Sequence, residues 1–173
     1  MDNLDHFSIP VSGLGGGLHG YDFSIGAAFF KHFEGSPIEK AKVEVHMDFD
    51  KRHDMFVLEF QLEGSVEVTC DRCLGPFDFP IDDSPALMVK FDDKEWEEAD
   101  VVYILRSAQT LNVARYIYEF INLAVPMTKT HDDAGEACDP EMLRFLAEGQ
   151  NEPEEEPGNN PFGDALKGLN FEN

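Results

Sequence analysis

Three cysteines stand in the chain of 173 residues, and two of them are spaced as Cys70-Asp71-Arg72-Cys73. Alternating apolar segments flank the pair, 65–70 before it and 77–81 after it. A tight hairpin turn between two such strands would bring both thiolates to one side of a metal, as in a zinc knuckle. Zinc in a structural site takes four ligands in a tetrahedron, so two more are needed. The downstream candidates are His131 and Cys138, which would complete a Cys3His set and use every cysteine. Two other readings stay open. A redox pair of the thioredoxin type opens a helix after a strand, whereas this pair lies between strands. A hairpin carrying two small buried thiols, with no metal, is the other.

Arg72 sits inside the same turn, where it would reach a partner or bridge to Asp71 or Asp78. Trp96 lies in the acidic run Asp92 to Asp100, as an interface anchor or folded over a sheet edge. The candidate contacts for a cationic partner are Asp92, Asp93, Glu95, Glu97 and Glu98 in that run, with Glu154, Glu155 and Glu156 further on. His6, His19, His32, His46 and His53 are scattered without a catalytic pattern. There is no nucleophile elbow, HExxH pair, kinase signature or complete P-loop, so an enzyme is not expected.

Thirteen Lys and Arg face 35 Asp and Glu, a formal charge of −22. Such a chain lacks the broad basic footprint that displaces counterions from nucleic-acid phosphates. Asp92 to Asp100 carries six acids and one lysine, and Asp132 to Glu156 ten acids and one arginine. Outside those segments the chain reads as an ordinary scaffold. An odd cysteine count without a signal peptide points away from a disulfide framework and toward the cytoplasm. No apolar run approaches the roughly 20 residues that would span a bilayer.

The elements that must position these residues are mainly strands. Val43, Val45, Met47 and Phe49 alternate with polar residues, and Phe56 to Leu62 resume the pattern after a hairpin loop at 51–54. Gly64 interrupts the apolar phase that Val66, Val68 and Cys70 continue, which predicts a bulge or sharp bend. Further strands are expected at 77–81, 87–91 and 101–105, and a short one at 7–11. Gly13 to Gly20 reads as a flexible loop and Ile25 to Phe33 as a short helix. A helix from an Asn112 cap to Pro126 presents Val113, Tyr116, Ile117, Phe120 and Ile121 on one face. A second runs from Pro140 to Glu148 with Leu143 and Leu146 inward. The fold class is α+β, mainly β: a curved antiparallel sheet or open barrel with two or three packed helices. One globular domain over 1–148 is expected, followed at 149–173 by a flexible acidic linker and C-terminal segment.

Several motifs together carry a family resemblance. They are VTCDRCLGPFDFPI (Val68 to Ile81), the aromatic pair Phe29 and Phe30, and NVARYIYEFINLAVPMTKTH (Asn112 to His131), followed by Cys138 and NPFGDALKGL (Asn160 to Leu169). In order and spacing they resemble the YceD-like large ribosomal RNA subunit accumulation proteins. The CxRCL hairpin and the helix bearing Tyr118, Glu119, Ile121, Leu123 and Pro126 are the most specific part. The resemblance implies a small cytoplasmic protein needed for normal levels of large-subunit ribosomal RNA. Two features depart from the family pattern. Many members carry several cysteines after the proline-terminated helix, where this chain has Cys138. Asn160-Pro161-Phe162-Gly163 stands where Asp-Pro-Arg-Trp is frequent.

The resulting expectation is a non-enzymatic accessory factor in large-subunit biogenesis. Its acidic segments would bind a basic ribosomal protein or pre-ribosomal particle, with ribosomal RNA reached indirectly and no membrane involved. A direct RNA-binding module using the sheet and the CxxC hairpin is the alternative, and a thiol-dependent enzyme the remotest.

Overall fold

Alternation of apolar and polar residues over 41–69 builds the centre of the molecule. In the computed structural model, which describes residues 4–99 and 101–149 (the side chains of 146–149 excepted), these residues form two long strands. The strands are β1 (Ser8–Pro10), β2 (Gly17–Gly26), β3 (Ala41–Lys51), β4 (Met55–Thr69), β5 (Pro76–Asp83), β6 (Ala86–Asp92), β7 (Trp96–Glu98), β8 (Val101–Leu105) and β9 (Thr110–Asn112). The helices are α1 (Ala27–Phe30), α2 (Ala114–Ala124) and α3 (Pro140–Gly149). The protein is α+β and mainly β, and its main sheet does not close into a barrel. The described strand order is β2-β3-β4-β6-β8-β7, with β5 beside the second half of β4. A separate two-stranded sheet joins β1 to β9.

β4 organises this sheet. Along one edge it pairs antiparallel with β3, from Phe56 opposite Lys51 to Val66 opposite Ala41. Along its other edge it pairs first with β6 and then with β5. The register is the same on both sides of the break: Glu59 faces Ala86, Leu62 faces Asp83, and Phe60 N–H donates to Pro85 O between them at 2.9 Å. β5 and β6 thus act as one antiparallel partner, and the turn joining β4 to β5 is Cys70 to Gly75.

The sheet departs from the expected all-antiparallel order at one place. β6 and β8 run parallel, because β7 pairs on the far side of β8 and leaves a place for β8 beside β6. Three residues of the acidic run therefore form an edge strand, a role that no alternation of apolar residues announces. Gly64 also behaves differently from expectation. The pairing of β3 with β4 passes through Val43 opposite Gly64 without a bulge. A Cβ on Gly64 would lie 2.1 Å from Lys42 O, and its φ is +152°. Glycine here permits a close approach of two backbones in an unbroken strand. The glycine-rich loop is shorter than expected, since β2 begins at Gly17, and the helix expected over 25–33 shrinks to α1. Pairing of Gly17–Gly26 with all but one residue of β3 outweighs the weak helical signal there.

The inward residues of β3 and β4 are buried with Phe23, Ile25, Phe29 and Phe30 and with Ile117 and Ile121 of α2. Phe60 meets Phe120 of α2 at a ring distance of 5.1 Å. Burying one such aromatic or branched side chain contributes roughly 1.5–3 kcal/mol. The N-cap of α2 is Val113, one residue after the expected Asn112, whose side-chain oxygen still accepts the Ala114 N–H at 3.0 Å while its amide donates to Leu4 O and Ser8 Oγ. Contacts separate a unit ending at Cys138 from one beginning at Asp139. In the second, the Asp139 carboxylate accepts the Glu141 N–H at 2.8 Å and starts α3. The Leu146 side chain and the segment 150–173, including Glu154, Glu155 and Glu156, lie outside the described residues. No helix among the described residues is long and apolar enough to cross a membrane.

Candidate metal centre

The turn that closes the β4–β5 hairpin is built by its own backbone. Cys70 N–H donates to Gly75 O at 2.9 Å, and Leu74 N–H donates to Cys70 O at 2.9 Å. The Arg72 N–H points at the Cys70 sulfur from 3.4 Å. Leu74 takes a left-handed conformation, φ +60°, to complete the reversal. These constraints turn Cys70 and Cys73 toward the same interior point, and both are buried.

The other two donors come from the segment that follows α2. Pro126 follows that helix, and the chain then returns to the hairpin turn. Asp71 N–H donates to Lys129 O at 2.8 Å, and Lys129 N–H donates back to the Asp71 carboxylate at 2.7 Å. That second bond, followed by the Lys129 charge, holds the Asp71 carboxyl below its usual range. A short 3-10 turn, His131–Ala134, comes next. Its Thr130 and Asp133 cap one another reciprocally, and Gly135 at φ +71° closes it. Phe77 of β5 lies against the His131 ring with centroids 4.7 Å apart. Arg72 pairs with Asp132 at 2.7 Å, rather than with Asp71 or Asp78, so the turn residue is tied to the same segment.

Together these bonds bring Cys70, Cys73, His131 and Cys138 into one buried cluster whose donor atoms all lie within 4.8 Å of one another. The Cys70 and Cys138 sulfurs are 3.8 Å apart, well beyond the roughly 2.05 Å of a disulfide. His131 Nδ1 lies 3.4 Å from the Cys73 sulfur and 3.8 Å from that of Cys138. A tetrahedral zinc with bonds of about 2.3 Å to sulfur and 2.0–2.1 Å to nitrogen would set S–S near 3.8 Å and S–N near 3.6 Å. The donor set, its burial and its spacings all fit a metal ion of that kind. Burial pushes the Cys70 thiol up, but the N–H groups of Cys73 and Arg72, with His131, outweigh it and bring the thiol down to about 6. Burial, then the neighbouring sulfurs of Cys70 and Cys73, push Cys138 up. A metal bound here would take its sulfur ligands as thiolates and displace their protons.

The acidic run is placed elsewhere, beyond β6 and β8, which serve the opposite end of β4 from the hairpin turn. Trp96 stacks on Tyr103 at 3.9 Å with the rings 2° from parallel, and its indole N–H donates to Asp92. It stands on the edge strand β7, directly opposite Tyr103, and keeps 42% of its surface exposed. Glu97 accepts from Arg115 and from the Tyr116 hydroxyl, while Asp93, Glu95 and Glu98 are exposed. Sequence reasoning missed Asp71, Lys129 and Asp132 as the pins of the Cys3His cluster. Each is an ordinary polar residue in a loop, and only their pairing across 58 or 60 residues gives them the role.

The fold and the cluster together define a small mainly β protein whose sheet ends in a Cys3His hairpin clamp. The chain belongs to the family of the large ribosomal RNA subunit accumulation protein YceD, whose profile matches residues 58–170. That span contains the hairpin, α2 and all four cluster residues. No curated protein and no solved structure matches the chain.

Proposed function

We propose that this protein is a non-enzymatic accessory factor in large ribosomal subunit biogenesis, acting in the cytoplasm to sustain large-subunit ribosomal RNA. In this reading it binds a basic ribosomal protein, free or within a pre-ribosomal particle, through acidic groups, and reaches RNA indirectly. Membership of the YceD family carries the process. The charge of −22 carries the choice of a basic protein over RNA as the direct partner, since opposite charge speeds encounter and favours the right partner. Cys70, Cys73, His131 and Cys138 hold a structural zinc. A closed set of four protein ligands leaves no open position for a catalytic water. Residues 1–148 act as the folded body and 149–173 as an acidic extension.

The test is affinity purification of the tagged full chain at low salt, with mass spectrometry of the recovered proteins and sequencing of recovered RNA. Recovery of basic large-subunit proteins is expected. Recovery of ribosomal RNA without them would favour the direct RNA-binding reading, and recovery of neither would refute both.

A further inference from the structure

The alternation that buries one face of β2 to β5 sends its polar partners to the other. By register, one outward carboxylate stands on β2, three on β3, three on β4 and two on β5, against Lys42 on β3, with Lys40 and Arg52 at its two ends pairing with Glu67 and Asp50. These residues are scattered along the sequence between apolar neighbours, so no charged run reveals them. The sheet gathers them.

Their arrangement is electrostatically unfavourable in the free protein. Glu44 lies directly opposite Glu63, and Glu63 directly opposite Asp82, which makes a row of three carboxylates across three strands. Asp48 lies opposite Glu59, and Glu67 opposite Asp78. Like charges directly opposite on one face destabilise a sheet. Lys40 offsets Glu67, and His46 lies beside Asp22 and Asp48. Glu59, Glu63, Asp78 and Asp82 have no ion pair among the described residues. A hollow of about 210 Å³, lined by Asp22, Glu44, His46, Gln61 and Glu63, opens on the row and has room for an ammonium or guanidinium head. Four strands about 4.8 Å apart, paired over about ten residues of roughly 3.3 Å each, present a face of about 600 Å². That approaches the roughly 800 Å² one partner contributes to a standard interface.

We infer that this outward face of β2–β5 is the docking surface for a lysine- and arginine-rich protein segment lying across the strands. The inference rests on the proposed basic partner and moves the principal contact from the acidic segments to the sheet. The occupant is a protein, because a phosphate backbone would be repelled by the same row. A cationic segment would relieve the opposed carboxylates, so binding and relief of repulsion act together.

The experiment uses immobilised protein extracted free of RNA from purified large ribosomal subunits, and the full-length chain at low and high salt. One variant, Glu44→Gln with Glu63→Gln and Asp82→Asn, neutralises the row. A second removes the same number of charges from the acidic segments: Asp93→Asn with Glu154→Gln and Glu155→Gln. The row variant is expected to bind at least tenfold more weakly at low salt, and the segment variant less than threefold. Equal losses, or a greater loss in the segment variant, would overturn the sheet face and leave the basic-partner reading standing. Absence of binding by the unaltered chain at low salt would overturn both, as would preference for the subunit RNA offered in parallel. The row variant is expected to unfold at the same temperature or higher. Should it unfold lower, Asp48→Asn with Glu59→Gln, the other opposed pair, carries the same expectation, and failure there too overturns the inference.

Discussion

Replacing Cys138 by serine tests the metal clamp directly. The substitution keeps the side chain's shape and takes one sulfur from the cluster. The clamp joins the hairpin to a segment far along the chain: Cys73 and His131 are 58 residues apart. Treated as a cross-link, closure of a loop that long removes about 14 cal/mol/K from the unfolded chain, or about 4 kcal/mol at 25 °C. That is an upper bound, because the Asp71–Lys129 bonds and the Arg72–Asp132 pair already hold the segment in place. A domain of this size loses roughly 2–4 °C of midpoint per kcal/mol. The expected fall is therefore at most about 16 °C, followed by circular dichroism, with metal content measured on protein purified without added zinc. A chelator acting on the unaltered chain should reproduce most of the shift, since it removes the metal and leaves every thiol. The remaining core is extensive, so the metal-free chain should still unfold cooperatively rather than collapse as a zinc finger does. Protein that carries no metal, and whose unfolding curve a chelator leaves unmoved, would refute the reasoning. The cluster would then be a set of packed thiols.

Three further outcomes follow from the sheet. Gly64→Ala forces a Cβ within 2.1 Å of Lys42 O at a φ of +152°, and should cost at least about 3 kcal/mol in urea unfolding. Glu63→Gln removes the centre of the carboxylate row and should stabilise the free protein by about 0.2–1 kcal/mol, an effect that shrinks as salt is added. The Asp22 carboxylate raises the His46 imidazole above its ordinary 6.5, with Asp48 adding to it. Its protonated form is favoured by folding, so this contribution is full below 6.5 and lost as pH rises through the higher folded value. In Asp22→Asn, an NMR titration of His46 should move back toward 6.5.

Much of this was legible from residue types alone. The alternating residues of β3 and β4 have both a single period and a single buried face, so sequence and tertiary structure agree. In the Cys3His cluster, Cys70 and Cys73 were legible because the turn chemistry is local, and Cys138 and His131 were legible as candidates because cysteines are few and His131 stands seven residues before the third. What was not legible depended on pairing between distant segments. Arg72 finds Asp132 because the chain after α2 returns to the hairpin, and nothing in the sequence near Arg72 distinguishes Asp132 from Asp71 or Asp78. β7 was hidden because an edge strand of three exposed residues carries no apolar alternation. Gly64 looked like a bulge because glycine serves both for an inserted residue and for a close backbone approach. Only the register, continuous through Val43, separates the two. The opposed carboxylates were hidden most fully, since each is a normal outward residue until the strands are aligned.

The β4–β5 hairpin carries two residues of the Cys3His cluster, Cys70 and Cys73, and two of the three carboxylates of the row, Glu63 and Asp82. Glu63 and Glu67 lie on β4 and Asp78 and Asp82 on β5, and the strand pairing that opposes them continues without a break to Cys70 and Gly75. The repulsion between opposed acids acts to part these two strands, while the clamp fixes the turn that joins them. Beyond Glu67, β4 pairs with β5 alone, so without a further tie the tip of the hairpin is held only by that short ladder and the row is less firmly spaced. A metal bound at the turn would therefore offset the cost of keeping like charges in register, and would do so without occupying the face a basic segment would use. On that account the chelated protein should lose affinity for basic large-subunit proteins while remaining folded. Neutralising the row should make the hairpin less dependent on the metal. The pair of effects is coupled in sign: Glu63→Gln should reduce the midpoint shift that a chelator produces, and an undiminished shift would separate the two features.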